Sequence, residues 1–221
     1  MGRRGIVVLC MACVLALGTA ASASAMRVLE LSTSAGPLVP GISLNLGGIT
    51  SFETPEGNVA CPEGLFVATL LTNSTAKDQI SIEAGPAAAQ NGILCTTTTP
   101  LGSVEVKAGG LPWIQQFAPS GKATLKGHKK LQLTVTVPLL GGLQCTYEAA
   151  KILATFPLAA NGVAMPLELT VANQVFARSK ASNVLCPASI AINFPAVPVT
   201  VSGELANLIP VFVTRRVIPK L

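Results

Sequence analysis

Four cysteines dominate the chemistry this chain can carry: Cys61, Cys95, Cys145 and Cys186. Two more, Cys10 and Cys13, lie in an N-terminal apolar run. None of the four falls in the Cys-x-x-Cys spacing that favours a zinc site or a redox pair. An even number of cysteines in an exported chain reads instead as disulfides, although four cysteines permit three connectivities. An internal echo selects one of them. Cys61 leads into Ala68-Thr69-Leu70, a polar turn at Asn73, Ile80-Ser81-Ile82-Glu83 and a close at Asn91-Gly92-Ile93-Leu94-Cys95. Cys145 leads into Ala154-Thr155-Phe156, a turn at Asn161-Gly162, Leu167-Glu168-Leu169 and a close at Asn183-Val184-Leu185-Cys186. If each unit closes on itself, the pairs are Cys61–Cys95 and Cys145–Cys186. Each would remove denatured-state entropy worth roughly 3–4 kcal/mol.

Catalytic machinery is hard to assemble from the remaining residues. His128 is the only histidine and Asp78 the only aspartate, so a Ser–His–Asp triad would need both. No Gly-x-Ser-x-Gly elbow accompanies them, and a histidine in a lysine-rich turn is expected to be solvated. Zinc needs three or four ligands and calcium clustered acidic oxygens, so neither metal nor cofactor is expected. A glycosidase-like carboxylate pair would lie ~5–9.5 Å apart. Its members would come from Glu30, Glu53, Glu56, Glu63, Glu83, Glu105, Glu148, Glu168 and Glu204. Trp113 and Tyr147 are the only Trp and Tyr. Their apolar and cysteine-adjacent contexts predict core packing rather than a sugar platform. Lys122, Lys126, Lys129 and Lys130 form one cluster. It could contact an anionic polymer or lipid headgroup, or be a solvated hairpin tip that discourages edge pairing. Asn73-Ser74-Thr75 matches a glycosylation sequon.

The N-terminus reads as an export signal spanning residues 1–25. Arg3 and Arg4 precede the apolar run Ile6–Gly18, and Ala23-Ser24-Ala25 supplies the small residues for cleavage before Met26. The run is shorter than the ~20 residues that span a bilayer. A secreted or cell-surface protein follows, with residues 26–221 as one domain. The formal charge of +5 includes the two signal arginines, and only 11% of residues are charged, so the field is weak. With no basic stripe and few aromatics, nucleic acid is not an expected partner. An apolar fraction of 50% suggests surface covered by a partner or a second copy.

The elements that must position these residues are strands. Ile42, Leu44 and Leu46 alternate with polar residues, as do Val104 and Val106. Leu131, Leu133, Val135 and Val137 face one way against Gln132, Thr134 and Thr136. Residues 122–137 read as a hairpin turning at Gly127-His128-Lys129-Lys130. Further strands are expected at Arg27–Leu31, Val163–Val171, Gln174–Arg178, Ile190–Phe194, Val197–Ser202 and Pro210–Val217. A short turn of helix is the most that Glu83–Gln90 allows. No stretch sustains a 3.6-residue apolar period. The fold class is therefore all-β, an antiparallel β-sandwich with two disulfides, built around two similar cysteine-closed units (61–95 and 145–186).

The order Cys95, Gly110-Leu111-Pro112-Trp113, a glycine-turned segment, Cys145-Thr146-Tyr147-Glu148 and Cys186-Pro187 resembles a loose group of exported β-rich proteins. They occur in high-GC Gram-positive bacteria, and the resemblance covers roughly residues 60–195. It implies export and a β-rich fold; the group is uncharacterised and carries no activity. The sequence thus leads to a secreted, non-catalytic binding or structural protein of the cell envelope, with an anionic envelope polymer or a protein as partner. The alternatives are an envelope polysaccharide hydrolase using a glutamate pair, and an inhibitor presenting the Gly109–Pro112 loop to an extracellular hydrolase.

Overall fold

Period-2 alternation bounded by Gly, Pro and Asn turns leaves the backbone one way to satisfy its hydrogen bonds, which is pairing between strands. The computed structural model describes residues 26–55, 57–84, 93–100, 102–202 and 208–218. The expected signal segment lies outside them, as do residues 85–92, which carry most of the turn considered after Glu83. In chain order the strands are β1 (Met26–Thr33), β2 (Gly36–Pro37), β3 (Ser43–Thr54), β4 (Gly57–Thr72), β5 (Asp78–Ala84), β6 (Ile93–Thr97), β7 (Ser103–Gly109), β8 (Trp113–Ala118) and β9 (Lys122–Gly127). Then follow β10 (Leu131–Val137), β11 (Leu143–Ala149), β12 (Ile152–Thr155), β13 (Ala164–Pro166), β14 (Glu168–Arg178), β15 (Ser189–Ser202), β16 (Leu208–Pro210) and β17 (Phe212–Ile218). Pairings among them are antiparallel, and the fold is all-β, as the alternation predicts.

One layer of the sandwich is continuous. It consists of the four longest strands in the order β14-β15-β3-β4. The facing layer is split into two four-stranded sheets, β5-β8-β9-β12 and β6-β7-β10-β11. Both are hydrogen-bonded to the long layer at each edge. β4 pairs with β5 over Val67–Thr72 and with β6 at Val59 and Ala60. β14 pairs with β12 at Thr170 and with β11 at Ala177 and Arg178. The result is two closed rings of eight strands sharing the long layer. We call them upper (with β5, β8, β9 and β12) and lower (with β6, β7, β10 and β11).

Two expectations are corrected by this pairing. Residues 122–137 are not a hairpin: β9 pairs with β8 and β12, whereas β10 pairs with β7 and β11. The Gly127–Lys130 turn instead carries the chain from the upper ring to the lower. The crossing is tight, because a Cβ at either Gly110 or Gly127 would lie 2.9 Å from the Lys130 carbonyl oxygen. In addition, Gln174–Arg178 and Ile190–Phe194 are not separate strands but the lower halves of β14 and β15. The segment read as Val163–Val171 divides between β13 and β14, which belong to different sheets.

The disulfides are Cys61–Cys95 and Cys145–Cys186. Each cysteine-bounded segment starts in the lower ring, rises into the upper ring, turns and returns.

A second sheet, β13-β17-β1-β2, closes the upper end. Leu29, Leu31, Val211 and Val213 bury against the same core as the rings. Asn73, in the β4–β5 turn, joins cap to ring. Its Oδ1 accepts from the Leu31 N–H at 2.8 Å, and its Nδ2 donates to the carbonyls of Leu31 (2.8 Å) and Leu38 (2.7 Å). The side chain thus stands in for a strand residue beside β1. The nitrogen that a glycan would occupy is committed to two hydrogen bonds, so in the folded protein the sequon is a structural tie. The Leu31 carbonyl also accepts from the Leu38 N–H, so Asn73→Ala strands the Leu31 N–H and the Leu38 carbonyl and is expected to cost about 2–4 kcal/mol. Urea unfolding monitored by fluorescence of Trp113 should show a lower midpoint at unchanged slope.

Candidate ligand-binding site

Along part of the lower ring's inner wall the residues are short. Val59, Thr97, Val104, Val106, Val135 and Val137 come from four strands, and they do not meet across the ring. With Phe52, Leu143 and Tyr147 they enclose a cavity of about 220 Å³. Interiors are normally packed like organic crystals. An apolar cavity of ~150 Å³ is already enough to take up benzene.

The cavity reaches the lower end of the ring, where Asn58, Leu140 and Leu185 are among its lining residues, with Thr54 and Thr99 adding hydroxyls. Leu140 is 53% exposed and Leu185 77%, and their neighbours Leu139 and Val184 are exposed too. Leu139 and Leu140 are held outward by a 3-10 turn that starts at Pro138 and is reversed by Gly141 at φ 65°. Val184 and Leu185 ride on the loop between β14 and β15, which is tied down at several points. Cys186 is bonded to Cys145 on β11. Arg178 Nη1 donates to the carbonyls of Val184 (2.8 Å) and Cys186 (2.6 Å), and the Thr146 N–H donates to Ser182 Oγ at 2.9 Å. A firmly held loop therefore presents apolar side chains to solvent at the mouth of an apolar chamber.

Trp113 and Tyr147 are buried, as expected from their contexts. Both also line interior space, Tyr147 the chamber and Trp113 the region above it. The Trp113 indole nitrogen donates to the Gly109 carbonyl at 3.0 Å. The only histidine and the only aspartate are kept apart. Asp78 pairs opposite Phe117 at the upper end of β8, whereas His128 is exposed just past Gly127, which pairs with Trp113 at the other end. The four residues between those levels put them about 13 Å apart along the strand.

The lysines are likewise spread along β9. Lys122 begins it near the cap, while Lys129 and Lys130 lie in the crossing turn. Lys130 Nζ is 2.7 Å from Glu148 Oε2. The Lys130 hydrogen bond holds the Glu148 carboxyl below its usual range.

The other glutamates do not gather around a cleft. Glu53 accepts from Asn193 Nδ2 at 3.0 Å, Glu105 is half-buried on β7, and Glu168 is exposed on β14. Glu56 and Glu204 lie outside the described residues, and for Glu63 and Glu83 only the backbone is described. The carboxylates that influence one another are Glu30 and Asp78. Both are buried at the cap, and Glu30 is ion-paired with Arg216 at 2.7 Å. Among the described residues, no group of three or more His, Cys, Asp or Glu side chains could hold a metal ion.

Comparison with family models, with curated proteins and with solved structures finds no match to this chain.

Asp78 supplies a measurable signature of the cap. Its Oδ1 accepts from the Thr75 N–H and hydroxyl, both at 2.8 Å, while Oδ2 has no hydrogen-bond partner. Burial raises its pKa from 3.8 to about 6, against the lowering effect of the Thr75 hydrogen bonds and with a further upward push from Glu30. Between those values the folded protein retains a proton that the unfolded chain has released. Stability contributed here is complete below the unfolded pKa and is lost as pH rises towards the folded one. Asp78→Asn removes this dependence. Its stability relative to the parent protein should rise by up to about 3 kcal/mol between pH 4 and 6.5. Parallel pH–stability curves for the two proteins would refute the assignment.

Proposed function

We propose that this is an exported, non-catalytic binding protein that holds an apolar ligand in the chamber of the lower ring. The observation that carries the reading is the chamber itself, a cavity of about 220 Å³ with a mostly apolar lining that includes five valines, and open beside exposed leucines. Two disulfides in the chamber ring support export, because such bonds persist in oxidising compartments. Among the described residues, no helix is long and apolar enough to cross a membrane. Binding at the cell envelope fits this reading, with the ligand drawn from an apolar phase.

The other readings have less support. Among the described residues, the carboxylates that sense each other are Glu30 and Asp78, both buried at the cap, which weakens the case for a glutamate pair acting on a polysaccharide. The Gly109–Pro112 segment is held by the Trp113 indole hydrogen bond, and Leu111 packs against the core, which weakens the case for a projecting inhibitory loop. Lys130 is engaged by Glu148, which weakens the case for an anionic-polymer cluster.

The test is titration with an environment-sensitive apolar dye, in the parent protein and in Val135→Phe and Val106→Phe. Each substitution places an aromatic ring in the chamber. Dye affinity should fall about tenfold or more, a loss of ~1.4 kcal/mol, while the thermal midpoint holds or rises because a void is filled. Dye binding indifferent to both substitutions would end the chamber reading.

A further inference from the structure

Interior space continues above the chamber. A void of about 30 Å³ lies at the waist between the rings, and one of about 70 Å³ lies in the upper ring. The waist void shares Phe52 and Val106 with the chamber, and Phe66, Trp113, Ile152 and Phe194 with the upper void. The three spaces are therefore in series. The Phe66 and Trp113 rings, 6.2 Å apart, stand between the waist and the upper void. Phe66 and Phe194 are only partly buried.

All eight strands of the upper ring contribute to the upper void, and its lining is apolar except at one residue. That residue is Gln115, which sits between inward-facing Trp113 and Phe117 on β8 and is 3% exposed. It is the one polar side chain that the lining of this void offers a ligand. A buried amide is stabilised by a hydrogen-bond partner. Waters filling this void would have Gln115 as their one side-chain partner, whereas buried waters typically hold about three hydrogen bonds. A polar atom carried on an apolar body fits the void better. An ionised headgroup does not, because one neutral amide among apolar walls does not offset the loss of its hydration.

We infer that the ligand is a long, linear apolar molecule whose leading end bears a single neutral hydroxyl or carbonyl, received by Gln115 in the upper void. Length follows from the strand. Val59 on the chamber wall and Phe66 on the upper void are seven residues apart on β4, about 23 Å at ~3.3 Å per residue. The inference rests on the chamber reading and extends it by naming the ligand class and the residue that reads it.

The experiment is displacement of the chamber dye from the exported protein by tetradecane, tetradecan-1-ol and tetradecanoate at alkaline pH, each presented from cyclodextrin. The alcohol should displace dye at about tenfold lower concentration than either competitor. Gln115→Leu should abolish that advantage while leaving dye affinity unchanged, which also reports that the variant is folded. If dye binds but the alcohol has no advantage over the alkane, or keeps it in Gln115→Leu, the inference is wrong and the chamber reading stands. Failure of dye to bind the parent protein would overturn both.

Discussion

Four strands have to serve two rings at once, and the rest of the molecule depends on how they do it. A strand crossing from one closed ring into another must keep an apolar face inward in both. Side chains alternate with period 2, so any one-residue irregularity at the waist exchanges the faces. In β15, Ile190, Ile192 and Phe194 face the lower ring, and Val197, Val199 and Val201 the upper. The change of parity falls at a register shift between Asn193 and Val199, where Ala196 adopts φ 47°. β14 changes from Leu169 and Val171 to Phe176 across Asn173 at φ 49°, and β4 changes from Cys61 to Phe66 and Ala68. The strand pairs are interrupted at the waist by register shifts, at Gly48/Thr50 and at Val171/Gln174 among others. Without the exchanges, one ring or the other would turn its apolar set to solvent.

Because the walls are shared, the rings can differ only in what fills and closes them. The upper ring holds Leu44, Leu70, Ile80 and Phe117 and is closed by its own sheet, with Asn73 fixing cap to ring. The lower ring is filled at its far end by valines and threonines and has turns where the other has a lid. Both disulfides belong to the lower ring. Cross-links restrict the unfolded chain rather than adding packing to the folded one. They are thus suited to a ring that leaves part of its interior unpacked. The same bond at Cys186 also holds the loop that carries Leu185 to the mouth, so one covalent feature serves stability and the site together.

What the sequence made legible were the local features. The alternation in β10, the burial of Trp113 and Tyr147, the all-β class and the cysteine pairing follow from residue type, spacing and the echo between the two cysteine units. The long strands were read as pieces because a parity exchange looks like the end of a strand: Pro195-Ala196 and Ala172-Asn173 break the alternation just as a turn would. The crossing at Gly127-His128-Lys129-Lys130 was read as a hairpin because a polar, glycine-led turn says that the chain changes direction, not which ring it enters. Ring closure depends on pairings far apart in sequence, such as Ala177 with Glu148 and Val59 with Thr97, which no local pattern records. The chamber was hidden for a different reason. Valine lines a cavity with the same alternation that packs a core, so Val135 and Val137 gave no sign that nothing faces them. A signal was present nearby, since Leu139-Leu140 and Val184-Leu185 are adjacent apolar pairs in turns, where no strand can hide either member.

The high apolar content has one use inside this architecture: two closed rings and a cap have a large inner surface for their length, and many of the described Leu, Ile, Val and Phe side chains line it. Closure also removes the long open edges through which a sheet recruits another chain. Among the described residues, the strands left at sheet edges include β2, β13 and β16, each of two or three residues. Pairing by strand addition therefore has little backbone to work with. Weak net charge gives little long-range attraction of either sign. At the open end of the lower ring, Leu139, Leu140, Val184 and Leu185 are exposed on backbone held by a 3-10 turn and by the Cys145–Cys186 bond, beside the least filled part of the interior.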